Sequence, residues 1–328
     1  MGTGRRTPSL RWLAALVIAW VAGTALAQGT YPSKAIKIIA PVQPGGGVDL
    51  VARTIGERLQ KALGQPVVIE NQSGGGGIVG STATARSAPD GYTLMVGYVG
   101  THGTNPAVRK LPYDAVKDFA PVSLLVINPQ ILVLHNSIPA NTVKELIAYA
   151  KARPGQLSYA GTSVGSITHL STELFAREVG IRMEMIPYAG IPAAMSDLLS
   201  GRTQFMSTGV IAALPQIKSG RLKPLAILAP KRHPQLPDVP TIVEEGYPDL
   251  TVATWFGLLM PAKTPPEIVQ RVNTEVMKAL QSPDIVEKYR AIGVESVPPN
   301  TPAAFGDFLK NEIARWAKVI REANVTVE

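Results

Sequence analysis

The chain has 328 residues, 45% hydrophobic and 17% charged, and once a leader is set aside the roughly 300 that remain suffice for two domains, a composition that excludes wholesale disorder. It contains no cysteine, and His102, His135, His169 and His233 show neither HxH nor HExxH spacing; disulfide scaffolds, thiolate or zinc sites and cysteine nucleophiles are excluded, and no metal or cofactor is expected. The net charge of +8 falls to +5 without Arg5, Arg6 and Arg11, and scattered Lys and Arg with 6% aromatic residues point away from nucleic acid as a partner.

Those three arginines precede the apolar run WLAALVIAWVAGTALA, which ends in the small-x-small pattern Ala25-Leu26-Ala27. This predicts a cleavable secretory signal over residues 1–27, with cleavage near Ala27 and Gln28 as the new N-terminus. The run is shorter than the ~20 residues that span a bilayer.

From Ile36 the periodicity alternates between strand and helix. KIIAPV predicts a strand, VDLVARTIGERLQKAL a helix stopping at Gly64, PVVIEN a strand, GIVGSTATARSA a small-residue helix and YTLMVGYV a strand. PVSLLVINPQILVLH predicts a long strand crossing between domains. A second series follows: TVKELIAYAKA helix, LSYA strand, ITHLSTELFAREVG helix, MEMIPY strand, IPAAMSDLLSG helix, TQFMSTG strand, AALPQIKSG helix and LKPLAILA strand. The proline-rich KRHPQLPDVPTIVEEGYPDL predicts a surface excursion before the strand TWFGLLMPA. Two amphipathic helices, PPEIVQRVNTEVMKALQS and PAAFGDFLKNEIARWAKVIREA, close the chain. The pattern predicts an α/β fold of two doubly wound lobes joined by crossing strands around a ligand cleft. The expected boundaries are 28–127 plus 256–328 for lobe 1 and 128–255 for lobe 2.

Three loops carry candidate chemistry. Gly45-Gly46-Gly47 stands between a strand and a helix, where bare backbone and unpaired N–H groups can meet an anion, or where a tight turn is all that is needed. It is neither a P-loop nor a GxGxxG fingerprint. Asp49, in the first helical turn, is open to a ligand contact or to helix-end stabilisation. The second loop, Gly161-Thr162-Ser163-Val164-Gly165, fits the GxSxG nucleophile pattern, but no triad order places His169 or His233 suitably, so no enzyme is expected. Ser163, Ser166 and Thr168 there offer neutral donors for a carboxylate. The third, Gly74 to Gly77, reads as close helix–sheet packing in preference to an anion nest. After the following strand, Thr101, His102 and Asn105 stand at a strand end, the cleft side in α/β folds, with His102 open either to ligand or to a loop backbone bond.

The stretches YPSKAIKIIAPVQPGGGVDLVAR, LGQPVVIENQSGGGGIVGS, APDGYTLMVG, LPYDAVKDFAPVSLL, ALPQIKSGRLKPLAI, KRHPQLPDVPTIVEEGYP and WFGLLMPAKTP stand in one order. In them the chain resembles, over residues 31–328, the Bug-type periplasmic solute receptors of tripartite tricarboxylate transporters. The resemblance implies a type II periplasmic-binding-protein fold whose lobes close on a small carboxylated solute, a periplasmic location, a monomer and delivery to a membrane permease. A sensor kinase as the partner is the alternative, and an exported GxSxG hydrolase a more distant one. It also implies that a ligand carboxylate is held between Gly45, Gly46, Gly47 and Asp49 and the second-lobe residues Ser163, Gly165, Ser166 and His169. Two departures stand out: Val42-Gln43 replaces a usual aromatic residue, and Met206-Ser207-Thr208-Gly209 replaces a run like MFDN. The missing acid argues against a ligand ammonium, while Gln43 and Thr208 can bond to a hydroxyl, an amide or a second carboxylate.

Overall fold

The structure, a computed structural model, describes residues 31–323; the predicted signal over 1–27 and Gln28 lie outside them. The first lobe opens with β1 (Ile36–Ala40), α1 (Gly47–Leu63), β2 (Val67–Asn71), α2 (Ile78–Ala85) and β3 (Thr93–Tyr98). In α1 the buried Val48, Val51, Ala52, Ile55, Leu59 and Leu63 recur at helical spacing and form one stripe against the sheet. The helix stops where Gly64 turns left-handed at φ 69°, a conformation glycine adopts without a Cβ penalty. β1 runs parallel to both β2 and β3. A π-helical turn, Gly100–Thr104, then leads into the short α3 (Asn105–Val108).

β4 (Phe119–His135) is the long crossing strand. Its first part pairs antiparallel with β9 (Ala253–Pro261), from Phe119↔Pro261 to Pro129↔Ala253. Its second part pairs with β7 (Phe205–Gly209) from Gln130↔Gly209 to Leu134↔Phe205, and with β8 (Leu222–Ile227). Pro129, which has no N–H to donate, stands at the changeover. The next N–H, of Gln130, donates to the Val252 carbonyl at 2.9 Å.

The second lobe is built from α4 (Val143–Lys151), β5 (Ser158–Gly161), α5 (Ile167–Val179), β6 (Glu184–Pro187), α6 (Ile191–Leu199), β7, α7 (Val210–Lys218) and β8. β5 is parallel to β6 and touches β7 through Tyr159↔Phe205. The strand order is β2-β1-β3-β9-β4-β7-β5-β6, with β8 and the two-residue β10 (Glu295–Ser296) also on β4. The two lobes therefore share one hydrogen-bonded path through β4.

α8 (Pro266–Gln281), α9 (Pro283–Ala291) and α10 (Pro302–Ala323) complete the chain; α9 had no counterpart among the predicted helices. α10 is pinned through a buried acid: the indole N–H groups of Trp255 and Trp316 both donate to Glu312 Oε2, at 3.0 and 3.2 Å. The proline-rich segment is not the surface excursion its composition suggests. Leu236, Val239, Ile242 and Leu250 are buried, and Ile227 bridges to Thr241, because the segment's few apolar residues cover the end of the second-lobe core.

Candidate functional site

A cavity of about 440 Å³ lies between the lobes, within the usual range for small-molecule sites. Its wall includes the N-cap residues of five helices: Gly46 (α1), Gly77 (α2), Ser166 (α5), Gly190 (α6) and Gly209 (α7). Each helix follows a strand, so the strand ends and the positive helix ends gather on one side. Ser166 is the only one of the five N-cap residues whose own side chain caps its helix; at α7 the Ile211 N–H instead donates to Asn128 Oδ1 at 3.3 Å, and the N-cap glycines of α1, α2 and α6 offer no side-chain acceptor. No Asp or Glu lines the cavity among the described residues, and Arg109 is the one charged side chain on its wall. The electrostatics suit an anion.

The loop before α1 contributes Gln43, Gly46 and Gly47 to the wall. A Cβ at Gly47 would stand 3.2 Å from the Phe256 ring and 3.4 Å from Ile211, so the loop approaches the start of α7 closely. Gly45 and Asp49 lie behind the wall. Asp49 Oδ2 accepts from Gly45 N–H and Arg53 Nε, both at 3.0 Å, and Oδ1 accepts from Asn71 Nδ2 at 2.9 Å. Burial opposes its charge, but these bonds outweigh it and hold the carboxyl below the ordinary range. Asp49 is thus a brace for the loop, and it consumes the Gly45 N–H that the carboxylate reading required.

In the second lobe, Ser163, Ser166 and Thr168 line the cavity. Their hydroxyls form a local network: Thr168 Oγ1 accepts from Thr162 N–H at 2.9 Å and lies 3.0 Å from Ser166 Oγ. Gly165 and His169 stand outside the wall and are bonded to each other, Gly165 N–H donating to His169 Nδ1 at 3.0 Å. An imidazole accepting at Nδ1 is neutral and carries its proton on Nε2. Burial lowers its pKa, against a smaller opposing pull from Glu173. Among the described residues no hydrogen bond joins Ser163 to a histidine, so the GxSxG pattern is not wired as a nucleophile.

The Gly74–Gly77 loop does more than pack: Ser73 and Gly74 through Gly77 all line the cavity. The four glycines have φ of 135°, 57°, 67° and 93°, a run of positive values that side-chain-bearing residues rarely adopt. The Gly76 carbonyl accepts from Tyr98 Oη at 2.9 Å and Asn105 Nδ2 at 3.0 Å, and a Cβ on Gly76 would lie 3.8 Å from Ser163 Oγ across the cleft. Close packing is also present, at Gly77, whose Cβ would meet Thr101 Cγ2 at 2.6 Å, and at Gly80, whose Cβ would meet Pro41 at 2.9 Å. Opposite the Ser163 loop, then, stands the second glycine loop of lobe 1, whereas the first faces α7.

Thr101 and His102 also lie behind the wall. Thr101 Oγ1 donates to the Tyr98 carbonyl and accepts from the Tyr98 N–H, both at 3.0 Å. His102 is fully buried, 4.6 Å from Phe119 between ring centroids, with Nδ1 2.8 Å from Thr101 Oγ1. Burial pushes its pKa down to about 3, so it is a neutral core residue.

At the inner end, Gln130 and Thr208 line the cavity from neighbouring positions of the β4–β7 ladder. Both are almost wholly buried, and Gln130 Oε1 and Thr208 Oγ1 have no hydrogen-bond partner. An unpaired buried polar atom costs roughly 1–3 kcal/mol, so these two, beside the cavity but closed to solvent, are a local destabilisation that a ligand group reaching them relieves. Thr208 was legible from the sequence. Asn105 was placed on the cleft side by its position after a strand end; Gln130, Arg109 and the caps of α2, α6 and α7 were missed, although a glycine between a strand and a helix (YAGIPA, STGVIA) marks both Gly190 and Gly209.

Two α/β lobes around a cleft ringed by helix N-termini define a solute-binding protein of the periplasmic-binding-protein fold. The description "Tripartite tricarboxylate transporter family receptor" matches residues 51–325. Protein BugT of Bordetella pertussis is 39% identical over 305 residues, covering 91% of this chain and 92% of its own. Among solved structures, R. palustris Rpa4515 with adipate superposes with a TM-score of 0.87 at 37% identity, covering 90% of this chain and 99% of that one. MatC from Rhodopseudomonas palustris with bound malate gives 0.84 at 34% identity, covering 88% and 100%. The chain belongs to the tripartite tricarboxylate transporter receptor family and is a periplasmic solute-binding protein of the Bug type.

Proposed function

We propose that this chain binds a small organic carboxylate between lobes 28–127 plus 256–328 and 128–255, without turning it over, and delivers it as a monomer to a tripartite tricarboxylate-type permease. The observation that carries this reading is the convergence of five helix N-termini and Arg109 on a cavity lined by no carboxylate. The hydroxyls of Ser163, Ser166 and Thr168 and the backbone of Gly46, Gly47 and Gly74–Gly77 supply the donors. A ligand touching both lobes binds the closed arrangement better and shifts the population towards it. The bound adipate and malate of the two related structures support carboxylate as the ligand class. Cleavage near Ala27 and export to the periplasm complete the proposal.

A thermal-shift screen against mono-, di- and tricarboxylates tests it. A ligand at ~100 times its Kd should add roughly 2.7 kcal/mol of apparent stability. Absence of any shift across the panel, or chemical conversion of the bound acid seen by NMR, overturns the reading.

A further inference from the structure

Arg109 follows α3 in the first lobe and reaches across the cleft, where its Nη2 donates to the Val164 carbonyl at 2.5 Å. Val164 is 42% exposed, so this contact stands near the mouth of the cavity, whereas Thr168, Thr208 and Gln130 on the inner wall are almost wholly buried. Arg109 Nε is enclosed and unpartnered, and among the described residues no carboxylate forms an ion pair with this guanidinium. On the cavity side its polar neighbours, Asn105, Ser163 and the Gly76 backbone, are neutral, while on its other side Arg109 borders a second depression lined also by Asp114, whose carboxyl is occupied by the Val116 and Lys117 N–H groups. A guanidinium carries its donors in a fixed fork, and with Nε enclosed and one Nη2 N–H on the Val164 carbonyl, the remaining Nη N–H groups are left for a planar anion.

We propose that Arg109 is the residue that selects for a second anionic group on the ligand, pairing with it at the mouth while the first carboxylate is held deeper by hydroxyls and backbone N–H groups. This rests on the carboxylate-receptor reading above and goes beyond it by assigning the choice of a dianion over a monoanion to one side chain. The inner donors are neutral, and among the described residues the cation forms no ion pair of its own. The ligand class is an extended dianion, long enough to reach from the inner wall to the mouth.

The test is calorimetric titration of the mature chain with dicarboxylates of four to six carbons and with the monocarboxylate of the same length for each. The wild type should bind its best dicarboxylate at least 10-fold more tightly than the matched monocarboxylate. In Arg109→Gln the dicarboxylate should weaken 10- to 100-fold, the range for loss of a charge-assisted bond, while the monocarboxylate changes less than about 3-fold. Arg109→Lys, which keeps the charge and loses the fork, should fall between. Equal weakening of both ligands would make Arg109 the counter-ion of the first carboxylate or a mere lobe strap, and would overturn the proposal while leaving the receptor reading intact. So would a wild-type ratio near one, which needs no variant and is immune to any folding defect. Failure of the wild type to bind any acid of the panel would instead bring down the receptor reading itself.

Discussion

The two glycine loops of lobe 1 reach the same cavity by opposite constructions. The Gly45–Gly47 loop is braced from behind by a buried carboxylate, Asp49, which takes the Gly45 N–H and links α1 to β2 through Asn71. The Gly74–Gly77 loop is held by neutral groups, Tyr98 and Asn105 on one carbonyl, with Gly77 against Thr101, which in turn is tied to His102. The difference shows how an anion site can use charge without exposing it. The acid supporting the first loop is kept behind the wall, where Arg53 compensates it, and the second loop needs none.

Acid should separate the two constructions most strongly. His102 has a folded-state pKa of about 3 against an ordinary 6.5, so on acidification the unfolded chain takes a proton that the folded chain refuses. Stability is therefore lost progressively from about pH 6.5 down to about pH 3, by roughly 5 kcal/mol in total. Asp49 acts in the same sense over a lower window: its depressed pKa contributes stability that is complete above its ordinary value of 3.8 and is lost as pH falls from there through the lower folded value. Denaturant melts between pH 7 and 4 should show the slope, and His102→Gln should flatten it. An unchanged slope in that variant would remove His102 from the account.

Alanine at the glycines sharpens the contrast next. At Gly77, with φ of 93°, a new Cβ would stand 2.6 Å from Thr101 Cγ2, so left-handed strain and overpacking add to roughly 2–4 kcal/mol of lost stability. At Gly45, with φ of 86° and nothing within 4 Å, Gly45→Ala should cost only about 1 kcal/mol. Asp49→Ala falls between them at roughly 2–3 kcal/mol, since Gly45 N–H, Asn71 and Arg53 lose their acceptor together. Urea denaturation of the three variants measures the order; a Gly45 variant as damaged as the Gly77 one would break the comparison.

In binding, Ser166→Ala should weaken the best carboxylate about 10- to 100-fold through loss of a charge-assisted bond. The unliganded fold should lose only ~1 kcal/mol, the usual value of a helix cap. Unchanged affinity would transfer the carboxylate to the backbone or to Thr168. Ser163→Ala should weaken binding by no more than Ser166→Ala. The smallest expected effect is at Thr208→Val: a ligand bearing a hydroxyl should lose up to about 10-fold, and one without it close to nothing, because the Thr208 hydroxyl has no protein partner to abandon.

Local chemistry made much of this protein legible. Apolar residues at helical spacing in α1, the stop at Gly64, the Ser166 cap and the long apolar run of β4 are decided by neighbours within a turn or two of chain, and so the order of strands and helices and the two-lobed class could be read directly. The same holds for the family, whose motif blocks are contiguous. The direction in which each polar side chain points was a different matter. Asp49, Thr101, His102, Gly165 and His169 carry residue types suited to a ligand, yet each is turned to a partner behind the wall. Gln130 and Arg109, unremarkable in sequence, line the cleft. The partners that decide this come from distant segments: Asn71 for Asp49, Phe119 for His102, Val164 for Arg109, Gly209 across the ladder from Gln130. Only tertiary structure brings such pairs together, because a side chain's environment is set by what packs on it in space, while the signals within a sequence window act through backbone hydrogen bonds and the periodicity of burial.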